Sequence, residues 1–219
     1  MKELKQYITE KLILKKRKKT AYNFFPKTKD ELKELVEQLI EERGNAADLN
    51  DIDVSEITNM SEMFSNSEFN GDISEWDVSK VTDMSLMFSN SEFNGDISNW
   101  DVSSVKDMGW MFDESKFNGD ISSWDVSKVV KMQYMFTNSK FNNDISKWNV
   151  SNVEHMSFMF RLSKFNGDIS KWDVSKVSDM QEMFASSYFN KDISKWNISN
   201  VINRKWMFND CPIKDEFKP

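Results

Sequence analysis

The sequence predicts an α/β protein: a right-handed solenoid of about seven 24-residue turns, each a short strand followed by a short helix, with a helical cap at its start. Two observations carry this. Trp76 recurs as Trp100, Trp124, Trp148, Trp172 and Trp196, 24 residues apart each time, and a fixed period in that range marks units that bury their apolar faces only against one another. Within a unit the apolar spacing then changes. Trp76 and Val78 are two apart, as on one face of a strand, whereas Val81, Met84, Met87 and Phe88 are three and four apart, as on one face of a helical turn.

Taken in order, the chain opens with Met1–Lys19, which reads as a helix carrying Leu4, Ile8 and Leu12 on one face and ending in Lys15-Lys16-Arg17-Lys18-Lys19. The apolar group precedes the basic cluster and no small-residue cleavage site follows. That is the wrong order for a secretory signal, so a cytoplasmic location is expected. Residues 1–20 carry +6 against −7 for the whole chain, so the rest carries −13: a basic arm on an acidic body. Contact with nucleic acid or a membrane would run only through this arm, and the acidic body argues against it.

The second helix has the clearest local signals. Thr28 with Glu31 makes a capping box, Leu32, Leu35, Val36, Leu39 and Ile40 fall at helical spacing, and Gly44 supplies the residue after the end. The floor for its apolar stripe is the open end of the first repeat, whose edge would otherwise recruit other chains. The chain therefore divides into residues 1–48, the basic helix and cap, and residues 49–217, the repeats.

The repeat columns fill from Leu49 to Phe208, with Ile52 where other units carry Trp and Arg204 where they carry the first Met. Phe217 lands where the next Ile would be. Asp72 and Asn70 recur in every Trp-bearing unit. As bend residues they bond nearby backbone N–H groups, with Gly71, Gly95, Gly119, Asn143 and Gly167 between them supplying positive φ; a cation ladder on the Asp column is the weaker reading. Lys191 breaks the glycine column, so the last turn should be strained there.

No reaction is legible. Ser74 and Ser79 recur in every such unit without a base, and the one histidine, His155, sits where other units carry Asp83, Asp107 or Asp179. An enzyme is not expected, nor any cofactor, metal or small-molecule substrate. The single Cys211 excludes an internal disulfide, and no run approaches 18 apolar residues.

The columns that vary are where a partner would be read. The position before the Met-Phe pair runs Glu62, Leu86, Trp110, Tyr134, Phe158, Glu182, Trp206. On a helical turn with Val81, Met84 and Phe88 inward, this position points outward. Leu86, Trp110, Tyr134, Phe158 and Trp206 are thus the candidate partner-binding residues, for another protein or a second copy.

Phe-Asn-Gly-Asp-Ile-Ser, Trp-Asp-Val-Ser and Asp-Met-x-x-Met-Phe recur in that order from Leu49 to Phe208, and the chain resembles the BspA-like leucine-rich-repeat family of bacterial surface-type proteins. The resemblance implies a leucine-rich-repeat-like solenoid and, for some members, adhesion at the cell surface, so a surface or phage-borne, virion-associated setting stands beside the cytoplasmic one. The function expected is a non-enzymatic protein-binding or scaffold module, with a structural or self-assembling component as the alternative.

Overall fold

The computed structural model describes residues 22–219. The basic arm over 1–20 lies outside the described residues.

The helix α1 spans Lys29–Arg43. Thr28 Oγ1 accepts the Glu31 N–H at 3.2 Å, and Glu31 reaches back to the Lys27 N–H, so orphan donors at both sides of the cap are satisfied. Gly44, at φ +86°, ends the helix, its N–H bonded to the Ile40 carbonyl. Leu32, Val36 and Leu39 are buried in the same core as Leu49, Met60 and Phe64 of the first repeat. Beside α1, Phe24 pairs in parallel with Ile52, and Arg43 holds Asp51 through both guanidinium nitrogens.

From Leu49 onward the chain forms a stack of 24-residue units. Asn59, Asp83, Asp107, Lys131, His155, Asp179 and Asn203 are joined in sequence by parallel bridges, each 24 residues from the next. Two phenylalanine ladders run through the centre: Phe64 to Phe208 at 5.6–5.8 Å per step, and Phe69 to Phe189 at 6.2–6.4 Å. The tryptophans Trp76 to Trp196 are 3–5 % exposed, and each indole Nε1–H donates to the carbonyl of residue i−27, as Trp124 does to Ile97 at 3.1 Å. Each buried ring removes an apolar surface worth about 1.5–3 kcal/mol, and the indole bond ties every unit to the one before it.

The expected α/β solenoid of strand-plus-helix turns, leucine-rich-repeat-like, is overturned. Among the described residues α1 is the single α-helix, a 3₁₀ turn covers Asp215–Phe217, and strand pairing is limited to isolated bridges.

The strand fails because the Trp segment bends twice. Trp76 N–H returns to the Ile73 carbonyl and Val81 N–H to that of Val78. Each bend is primed by an aspartate, Asp72 and Asp77, that accepts the N–H of the serine two residues on. The helix fails because alternate N–H groups leave the unit. Met84, Leu86, Phe88 and Asn90 donate to the carbonyls of Asp107, Gly109, Met111 and Asp113 in the next unit at 2.7–3.0 Å, while Met87 and Ser89 close four-residue turns within their own. An α-helix needs every N–H to return to residue i−4.

The glycine column is also corrected. Among the described residues only Gly44 has a glycine positive φ. A Cβ at Gly95 would lie 2.8 Å from the Phe93 ring, but the same column holds Asn143 and Lys191, beside which the phenylalanine ladder keeps its spacing. The strain expected at Lys191 does not disturb the adjacent ladder, in which Asn190 N–H bonds Asn166 Oδ1 at 3.0 Å. That ladder is a second revision. The Asn70 to Asn166 side chains accept from the next unit's asparagine N–H at 2.7–3.0 Å, not from neighbours in sequence.

Candidate functional site

The outward strip is built by turns that force a rare backbone. Leu86, Trp110, Tyr134 and Phe158 have φ of +57° to +61°, as do Glu62, Glu182 and Trp206 at +50° to +60°. Each is the third residue of a four-residue turn, the place where positive φ is normally supplied by Gly or Asn. Leu86, for example, lies in the turn closed by Met87 N–H and the Met84 carbonyl. For a bulky L-residue this conformation costs about 1–2 kcal/mol. In the units from Glu62 to Glu182 it is held by the residue's own N–H, donated to the next unit, Trp110 to the Gln133 carbonyl and Tyr134 to that of Ser157, both at 2.9 Å; Trp206 keeps the same φ without such a bond.

The left-handed conformation turns these side chains out of the stack, so the outward direction inferred for a helix is reached by a different route. Trp110 and Tyr134 stack at 4.9 Å and 8°, Tyr134 and Phe158 at 4.4 Å and 10°. All three are partly exposed, as is Leu86, in contrast with the buried tryptophan ladder. Glu182 then interrupts the column, bound to Arg161 at 2.9 Å. Trp206 lies beyond it, 56 % exposed, with Lys205 Nζ 4.0 Å above its ring. The structure thus gathers Trp110, Tyr134 and Phe158 into one strip and leaves Trp206 apart.

Electrostatics around the strip are uneven. Burial raises the Tyr134 phenol above its ordinary value, with Glu182 adding to it. Asp113, three residues after Trp110, is pushed up to about 6 by burial and then by Glu114. It stands in a column otherwise occupied near it by Ser89 and Thr137. On the opposite flank, hydrogen bonds from the backbone and hydroxyl of Ser122 and Ser146 hold Asp120 and Asp144 below the usual carboxylate range. That use of their oxygens accounts for the aspartate column as turn chemistry. Among the described residues no group of three or more His, Cys, Asp or Glu is placed to hold a metal ion.

The serines singled out in the sequence are likewise occupied, Ser79 Oγ donating to Asp77. His155 sits in the bridge column between Lys131 and Asp179. Cys211 is half-buried, its Sγ donating to the Phe189 carbonyl.

Sequence reasoning missed the two left-handed columns and, with them, the direction of the hydrogen bonds. A partial signal was present: the second column contains Asn66, Asn90 and Asn138, and asparagine tolerates this conformation. The first column, with Trp, Tyr, Phe and Leu, has no such signal.

Among curated proteins and solved structures nothing matches the chain. A family described as "Mycoplasma protein of unknown function, DUF285" matches it twice, over residues 31–140 and 114–217, overlapping segments that take in α1 from Glu31 onward and the stack. The chain belongs to the DUF285 family.

Proposed function

We propose that this chain is a non-enzymatic protein-binding module that docks a partner protein along the strip of Leu86, Trp110, Tyr134 and Phe158. The observation that carries this reading is the outward stack of three rings on residues held at positive φ. Backbone strain of this kind persists only where surrounding structure enforces it; Glu62 and Glu182 share it, so the grouped rings and not the strain mark the strip. The rings also lie in the one apolar column that changes from unit to unit, whereas the core columns repeat. Aromatic side chains grouped on an exterior supply most of the energy of protein contacts. Trp206 forms a separate outlying contact in this reading, and no cofactor or small-molecule substrate takes part. The BspA-like resemblance supports binding over catalysis.

The test is the triple replacement of Trp110, Tyr134 and Phe158 by Ser. Co-purification of partner protein with the intact chain, its loss with the triple variant, and an unchanged unfolding midpoint are the expected results. Equal recovery of partner by both chains sinks the reading. Sedimentation of the purified chain separates a partner from a second copy: association that depends on the three rings identifies self-docking.

A further inference from the structure

The aromatic strip lies where the stack is most acidic. Residues 45–139 hold 18 Asp or Glu against five Lys, whereas residues 140–219 hold 10 against 12 Lys or Arg. Leu86, Trp110 and Tyr134 fall in the acidic part, and Phe158 follows one unit on. Glu62 stands in the same column one unit before Leu86 and is exposed. Asp113, whose N–H bonds the Trp110 carbonyl, has a half-buried carboxylate that accepts no hydrogen bond among the described residues. A carboxylate taken partly out of water without a partner favours an occupant that brings a cation. The strip therefore suits apolar side chains carried on a strongly basic segment.

Residues 1–20, outside the described residues, have this composition. They carry +6, with Leu4, Ile8 and Leu12 at helical spacing and the basic cluster Lys15–Lys19 between these and the stack. The order of the chemistry also matches. The chain joins the stack at its first unit, where Asn23 bonds Asp51 and Phe24 pairs with Ile52, so the basic cluster comes nearest to Glu62 and the apolar residues further along. The strip is within reach. From Phe24, beside Ile52 of the tryptophan column, to Lys29, whose Nζ bonds Ser61 next to Glu62, the chain itself crosses the stack in five residues. The segment from Leu14 to Tyr22 is longer and spans up to about 27 Å when extended. On the helix that the spacing predicts, Leu12, Ile8 and Leu4 advance about 6 Å per step, against ring steps of 4.9 and 4.4 Å in the strip.

We propose that the chain's own basic arm covers the strip: Leu12, Ile8 and Leu4 rest on Trp110, Tyr134 and Phe158, Lys11 meets Asp113, and Lys15–Lys19 lie along Glu62 and the acidic first units. The arm is then a tethered competitor for the partner, an autoinhibitory contact that rests on the strip being the docking surface. Attachment within one chain supplies an effective concentration of about 1 mM. A contact with a dissociation constant of about 0.1 mM thus covers the strip about nine-tenths of the time and weakens a competing partner about tenfold.

The experiment compares the full chain, labelled with ¹⁵N, with two full-length variants: Leu4, Ile8 and Leu12 replaced by Ser, and the five residues of Lys15–Lys19 replaced by Glu. Both should move the Trp110 indole N–H and the Leu86, Tyr134 and Phe158 amide resonances to the same new positions, and about 0.5 M salt should move them part of the way. The buried indoles of Trp148, Trp172 and Trp196 should stay in place, which reports an unchanged fold. Three results would each overturn the proposal: strip resonances that neither variant moves; buried indoles that move as far as Trp110, which would make the arm part of the core; or strip resonances of the intact chain that change with its concentration, which would make a second copy's arm the occupant. The two readings fail separately. Unmoved strip resonances with partner recovery still dependent on the three rings sink the arm's role alone, whereas moving resonances with equal partner recovery uphold the arm's contact and sink the docking reading alone.

Discussion

The stack carries two aromatic columns with the same 24-residue period and opposite fates. Trp76 to Trp196 are buried and each indole donates to a carbonyl of the preceding unit. Trp110, Tyr134 and Phe158 stack on one another at closer range and remain partly exposed. The difference lies in the backbone beneath them. The tryptophan flank is made of aspartate-primed bends with ordinary φ, so its side chains point into the core. The other flank is made of turns whose third residue is left-handed, so its side chains point away. An aromatic period alone therefore does not identify a core; the identity of the residue does, because one column is invariant and the other is not.

The strongest way to break the comparison is Trp124→Ala. It removes a buried indole together with its bond to Ile97 and should destabilise the protein by about 3–5 kcal/mol, measured by denaturant unfolding. A loss no larger than that of Phe158→Ala would erase the distinction between the flanks.

A smaller effect, of opposite sign, is expected at Asp113 on the turn flank. Its folded carboxyl titrates near 6 in place of 3.8, so the folded state binds more protons than the unfolded state between these values, and stability falls as pH rises through that window. The shift corresponds to about 3 kcal/mol, and partial solvent exposure reduces the expected effect to about 1–2 kcal/mol. Asp113→Asn should therefore stabilise the protein at pH 7 by that amount and flatten its stability between pH 4 and 6. An unchanged pH profile would show that Asp113 is solvated.

The smallest effect sharpens the comparison most directly. At Trp110, φ is +57°, so Trp110→Gly should leave the protein about 1 kcal/mol more stable than Trp110→Ala. At Trp124, which has no positive φ, glycine should be the worse replacement. Thermal unfolding of the four variants reads this inversion, and alanine better at both sites would refute the left-handed column.

Much of this protein was determined by the sequence alone. The period, the buried columns of Ile, Trp, Val, Met and Phe, the capping box at Thr28 and Glu31, and the outward strip all follow from which residue types repeat and which vary, and side-chain burial obeys that pattern directly. The conformation of each unit was decided by tertiary structure. Spacing of three and four between Val81, Met84 and Phe88 fits a helix, and spacing of two between Trp76 and Val78 fits a strand, yet neither forms. The N–H groups of Met84, Leu86, Phe88 and Asn90 find their acceptors 23 residues away, in a unit that is adjacent only once the stack exists. Those bonds offset the cost of placing Trp, Tyr and Phe in the left-handed region, a conformation that no local preference of these residues selects. The same bonds give the stack its direction, every N–H of this set pointing toward the following unit. The peptide backbone is identical in every residue, so a composition read along the chain carries no trace of that direction.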